Sequence, residues 1–163
     1  LIEEAEELMS ENPSYNSCAN FMLTATMGLN GFISMGVEED WATHMIGHEL
    51  TALCGLDHGE TLAIVHPALM DVMREEKKGK LLQYAKRVWG INLEDENKAI
   101  DLAIEKTENF FRSIGKKTRL SENNIGDDVI EEIVKRFTDR GWCVGERGIV
   151  TPEKTRQILN RAK

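Results

Sequence analysis

Apolar residues return every third or fourth position along most of this chain, the spacing of helices that bury one face. The opening "LIEEAEELM" sets Leu1, Ile2, Ala5, Leu8 and Met9 on one such face, and Asn12-Pro13-Ser14 closes it and opens the next segment. Residues from about 16 to 35 are rich in Ala, Met, Leu and Phe and carry no charge. A helix that apolar is expected to be buried on most sides, with Gly36 as its stop. Asp40 stands where an N-cap is wanted for a helix from Trp41 to about Leu53, and Gly55 where a C′ glycine is wanted. A second apolar run starts at Thr61, and its Pro67 is expected to kink a helix or start one.

The same spacing continues downstream. "KLLQYAKRVWGI" predicts a short amphipathic helix closed by Gly90. The next stripe runs through Ala99, Ile100, Ala103, Ile104, Thr107, Phe110, Phe111 and Ile114 to a stop at Gly115. Further helices are expected from about Asp127 to Thr138 and from Thr151-Pro152, a cap followed by a first-turn proline, to the end. The best strand signal is the short "WCVGERGIV", and no fixed-period repeat is present. The fold class read from this pattern is all-α.

Composition narrows the picture. A chain of 163 residues is one domain or two small lobes. At that length folding buries roughly 70% of the unfolded surface, so no disulfide staples are required. An apolar fraction of 41% and a charged fraction of 29% fit a soluble globular protein. No apolar run reaches the ~20 residues that span a bilayer. The net charge of −8 repels phosphate backbones, which argues against a nucleic-acid partner. Cys18, Cys54 and Cys143 are odd in number and widely spaced, forming neither a zinc pattern nor a disulfide framework. With no secretory leader in view, a reducing cytoplasmic setting is the expectation. The chain starts at Leu1 on a bare amphipathic segment, which reads as a piece of a longer polypeptide.

Chemistry concentrates in "HMIGHELTALCGLDH", which holds three of the four histidines in residues 44 to 58. His44 and His48 are one helical turn apart on a shared face. In one straight helix His44 and His58 would lie ~21 Å apart, too far to share an ion. A helix ending near Leu53 has carried the chain ~14 Å past His44. The segment Cys54 to His58 spans at most ~17 Å, so a return is feasible, with Gly55 and Gly59 supplying backbone freedom. Imidazole is a common ligand for zinc and iron, but two histidines are half a site. Asp40, four residues before His44, is discounted because an N-cap carboxylate is already engaged. Asp57 and Glu60 are candidates to orient an imidazole from outside the ligand set. His48-Glu49 begins like HExxH, but Ala52 breaks that protease motif. The plainer alternative makes His44 and His48 half-exposed helix residues and His58 a loop residue. His66 reads as structural, and Cys54 as a small buried residue with no base to activate it.

The stretch "DWATHMIGHELTALCGLDHGETLAIVHPALM" closely resembles the C-terminal helical domain of iron-containing (group III) alcohol dehydrogenases, in the butanol dehydrogenase-like branch. The likeness continues through "KLLQYAKRVWGI", "NFFRSIGKKTRLSE" and "IVTPEKTRQIL". The resemblance implies residues 1 to 163 of a two-domain, dehydroquinate synthase-like enzyme, whose N-terminal domain binds NAD(P)H and whose helical domain holds Fe2+ or Zn2+. In that family one Asp and three His hold the metal. The last two histidines map onto His44 and His58, while His48 maps beside the metal as a substrate contact or proton relay. The first two ligands, spaced D-x-x-x-H, and the glycine-rich nucleotide loop are expected to precede Leu1. Asp40 to His44 repeats that spacing by accident. His66 stands where the family more often has an apolar residue. The implied activity is hydride transfer between nicotinamide and a primary alcohol or aldehyde, in a cytoplasmic homodimer. Residues 1 to 163 alone are expected to be inactive and to hold metal weakly. Two other classes stand beside it: a helical metal-dependent hydrolase, and a helical interaction module without catalysis.

Overall fold

A computed structural model describes residues 1–163. The helices are α1 (Ala5–Leu8), α2 (Tyr15–Leu29), α3 (Ala42–Cys54), α4 (His58–Val72), α5 (Lys78–Trp89), α6 (Glu96–Ser113), α7 (Asp127–Asp139) and α8 (Pro152–Arg161). The all-α class therefore holds. The best strand signal, "WCVGERGIV", forms no strand. Only an isolated bridge joins Val144 to Val150, around a short 3-10 turn at Glu146–Gly148.

The chain divides into two compact units, residues 1–39 and 40–163. In the first, Ser14 caps α2 by accepting from the Ser17 N–H, and Glu7 holds both the Ser14 N–H and the Ser17 hydroxyl. Three expectations fail here. The N-terminal amphipathic helix shrinks to a single turn, and α2 ends at Leu29 instead of about residue 35. Nor is α2 buried. Phe21, Met22, Leu23 and Leu29 are exposed, and Ser17 is its only buried residue. Within this unit the other helix is the four-residue α1, too short to cover the fifteen residues of α2.

The second unit is built on α3 and α4, antiparallel neighbours across a tight corner. Ile46 and Leu50 of α3 pack with Ile64, Val65 and Leu69 of α4, Ile130, Ile133 and Phe137 of α7, and Ile158 and Leu159 of α8. Each such side chain contributes roughly 1.5–3 kcal/mol when fully buried. Helices α5 and α6 add a smaller cluster, with Leu81, Ile100 and Ile104 packed around Met70 of α4. Between them the buried Thr107 hydroxyl donates to Ala103 O (2.7 Å) and accepts from Trp89 Nε1 (3.2 Å). Pro67 sits inside α4, which starts earlier than the apolar run indicated, at His58 itself. Gly90 closes α5, and Thr151 caps α8 by accepting from the Lys154 N–H.

One charged residue anchors α3 from within. Glu49 is 7% exposed, and its carboxylate receives hydrogen bonds from Arg136 Nη1 (3.0 Å) and Arg140 Nη1 of the α7 region. Burial opposes its ionisation, but the two guanidiniums hold its carboxyl below the usual range. The glutamate of the broken HExxH is thus a clamp between α3 and α7, facing away from chemistry.

Candidate metal and substrate site

The corner between α3 and α4 decides the site. Helix α3 stops at Cys54 because Gly55 takes the left-handed conformation (φ 70°, ψ 17°), with its N–H on Thr51 O at 2.9 Å. A side chain there would be strained, so the reversal needs glycine. Gly59 lies within the first turn of α4 and has no such role. Three residues separate the end of α3 from the start of α4 at His58.

The result is a close pair of imidazoles. His44 Nδ1 lies 3.3 Å from His58 Nε2, and the rings stack with centroids 5.1 Å apart. His48 flanks them, its ring centroid 5.2 Å from that of His58 and 6.4 Å from that of His44. Trp41 covers the other side of His44 at 4.9 Å. Burial, and after it the neighbouring His58 and His48, push the His44 imidazole below its ordinary range, so it stays neutral and ready to donate a lone pair.

That geometry fits a metal. Two ligands ~2.0–2.1 Å from an ion at tetrahedral angles lie roughly 3.3–3.4 Å apart. The same 3.3 Å suits one shared proton, with one ring donating and the other accepting. The fit covers half of a coordination shell, since no group of three or more His, Cys, Asp or Glu side chains is arranged around one ion. Asp40 is engaged elsewhere: Oδ1 accepts from Ala42 N (2.9 Å), and Oδ2 accepts from Lys77 Nζ (2.5 Å) and Glu146 N (3.1 Å). The expectation that Asp57 or Glu60 orients His58 is not met. Asp57 precedes α4 with no side-chain cap bond, and neither carboxylate bonds a histidine. Cys54 is partly buried, and burial pushes its thiol up, which makes it a poor nucleophile.

Three residues that the sequence did not single out shape this corner. Gly47 lets α4 come close: a Cβ there would sit 2.7 Å from Thr61 Oγ1 and 3.3 Å from Thr61 Cβ. Thr61 in turn donates to the His58 carbonyl at 2.8 Å, tying the contact to the ligand-bearing turn. A glycine inside a helix costs about 1 kcal/mol relative to alanine, and that cost was the available signal. The third is Trp41, whose place over His44 depended on where α3 begins.

His66, read as structural, stands between two cavities. Its Nδ1 is 3.5 Å from Thr43 Oγ1. A cavity of about 200 Å³ lies toward Tyr84 and Leu81, and one of about 490 Å³ is bounded by His44, Leu62, Phe111 and Ile114. Burial pushes His66 below the ordinary imidazole value of 6.5, against an opposing pull from Asp40. The unfolded chain therefore takes up this proton first as pH falls, so stability is full above about 6.5 and declines below it. Thermal unfolding of the metal-free protein between pH 7.5 and about pH 5 should show that decline, and His66→Leu should flatten it. An unchanged slope in the variant would contradict this reading.

Residues 1–162 match the model of the Fe-containing alcohol dehydrogenase family, C-terminal part. The chain belongs to that family. It is 44% identical over 164 residues to the NADPH-dependent aldehyde reductase YqhD of Escherichia coli K12, covering all of this chain and 42% of that protein. Against the NADH-dependent butanol dehydrogenase A of Clostridium acetobutylicum it is 30% identical over 157 residues, covering 94% of this chain and 40% of the relative. The crystal structure of the Escherichia coli protein superposes on 99% of this chain with a TM-score of 0.94, over 42% of its own length. A butanol dehydrogenase from Thermotoga maritima gives 0.89 at 29% identity, over 99% of this chain and 42% of its own. The sequence thus spans about two fifths of the relatives it matches. No helix is long and apolar enough to cross a membrane.

Proposed function

We propose that residues 1–163 are the metal- and substrate-holding part of an NAD(P)H-dependent alcohol dehydrogenase or aldehyde reductase. The observation that carries this reading is the 3.3 Å approach of His44 and His58 in a chain of this family. These two imidazoles supply half the ligands of a divalent ion, Fe2+ or Zn2+. The remaining ligands and the nicotinamide site come from the part of the polypeptide to which these residues do not correspond. When bound, the metal supplies Lewis acidity to the aldehyde oxygen, and reduced nicotinamide supplies the hydride. The whole enzyme acts as a cytoplasmic homodimer on small aldehydes and alcohols.

The chain's own residues do the rest. Burial disfavours protonation of His44, so a proton competes less for that nitrogen. Trp41 restricts the His44 ring. His48 is exposed beside the pair and outside the 3.3 Å contact, which leaves its ring to hold or pass the proton of the alcohol. Leu62, Phe111 and Ile114 give the adjoining cavity apolar walls.

The test uses the full-length, metal-loaded enzyme and follows nicotinamide oxidation with butanal. His48→Ala should keep its metal and lower kcat by about a hundredfold. Absence of aldehyde-dependent oxidation in the parent enzyme would refute the function, and loss of metal in His48→Ala would refute the role given to His48.

A further inference from the structure

The cavity beside His44 has a mixed lining that an unfunctionalised aliphatic aldehyde does not require. One side is formed by α3 and α4, through Thr43, His44, Leu62 and His66. The other is the end of α6 and the turn after it, with Phe111, Ile114 and Lys116. Its walls are mostly apolar, and its volume of about 490 Å³ holds a short carbon chain with room to spare.

Lys116 is the odd member. Most basic side chains of this acidic protein are paired, as Arg112 is with Glu122 and Arg119 with Glu108. Lys116 is half-buried and forms no ion pair and no side-chain hydrogen bond within the chain. Its backbone is nonetheless fixed, because its N–H donates to Phe111 O at 3.0 Å while the Gly115 N–H donates to Arg112 O at 3.0 Å. Lys116 thus follows a defined helix end and lines a cavity whose only carboxylate, Asp40, already receives Lys77 and two backbone N–H groups. The other polar residues of the lining, Thr43, His44, His66 and Lys116, carry no negative charge.

The geometry points to a substrate that carries a carboxylate at the end remote from its aldehyde, with Lys116 as the residue that receives it. This rests on the reductase reading above and names its substrate class. The aldehyde oxygen is held at the His44 end, the carbon chain lies along Leu62, Phe111 and Ile114, and the carboxylate meets Lys116 across the cavity. The reaction balances as for any aldehyde: one hydride from reduced nicotinamide to the carbonyl carbon, one proton to its oxygen, and the carboxylate unchanged. A charge-assisted hydrogen bond in a partly desolvated site favours such a substrate over its uncharged analogue by a factor of about ten to a hundred.

A lysine that served only the negative end of α6 would leave substrate preference untouched, and the test separates the two. In the full-length enzyme, kcat/KM is measured for 4-oxobutanoate and for butanal. Lys116→Met should lower the ratio of the two about tenfold or more, Lys116→Arg should retain it, and the exposed Lys117→Met should leave both values unchanged. A ratio unaltered by Lys116→Met in an enzyme that reduces butanal overturns this inference and leaves the reductase intact. If neither aldehyde is reduced, the reductase reading fails, and calorimetric binding of 4-hydroxybutanoate then decides on the cavity alone. Binding weakened about tenfold by Lys116→Met sustains the assignment; equal binding by both proteins overturns it.

Discussion

His58→Ala in the full-length enzyme is expected to abolish stable metal occupancy while leaving the fold intact. His58 is exposed at the first turn of α4, so its removal changes stability by no more than about 0.5 kcal/mol. Its Nε2, however, faces His44 Nδ1 at 3.3 Å, and losing it takes away one of the two ligands this chain offers. Replacing groups that merely support metal ligands costs about 10–100-fold in affinity, and replacing a ligand itself should exceed that. Metal analysis after gel filtration, beside a thermal melt, checks both halves. His44→Ala should also lose the metal, with a larger stability effect because His44 is partly buried under Trp41. Full occupancy in His58→Ala would refute the ligand assignment.

Gly47→Ala is expected to be destabilising where helix propensity alone predicts a gain of about 1 kcal/mol. The added methyl meets Thr61 Oγ1 at 2.7 Å and Leu62 Cδ2 at 3.6 Å, so α3 and α4 must separate or Thr61 must give way. Thr61 cannot do so freely, because its hydroxyl is bonded to His58 O. Overpacking of this kind costs about 1–3 kcal/mol. The net loss, up to about 2 kcal/mol, should lower the melting temperature by up to about 8 °C. Since the displaced turn carries His58, metal affinity should fall as well, by about tenfold. Gly47→Ala with Thr61→Ala should recover part of the stability, because the Oγ1 overlap is gone while the 3.3 Å approach to Cβ remains. A higher melting temperature for Gly47→Ala would show that the helices are not in close contact there.

What the sequence made legible was whatever rested on local periodicity and end signals. Gly55, Gly90 and Thr151 mark helix ends where the spacing of apolar residues stops, and the structure ends or starts helices there. Counting residues against the reach of the backbone made a return of the chain from His44 to His58 feasible. What stayed hidden depended on partners far along the chain. The stretch around Phe21 and Leu23 looked like core because it is apolar, yet burial depends on what lies opposite, and α1 is too short to supply it. Glu49 sat in a failed protease motif until Arg136 and Arg140, some ninety residues away, gave it a structural task. The close approach at Gly47 and the cavity shared by His66 and Lys116 likewise belong to the packing of α3, α4 and α6. Membership of the dehydrogenase family leaves the hydrolase and interaction-module alternatives without an observation in their favour.

X-ray absorption of the full-length protein loaded with one equivalent of Fe2+ or Zn2+ tests the shared-ligand claim most directly. The account predicts nitrogen neighbours with imidazole scattering at ~2.0–2.2 Å, reduced by one ring in His44→Ala and by one in His58→Ala, and not reduced in His48→Ala. A spectrum unchanged by removing either His44 or His58 would contradict it.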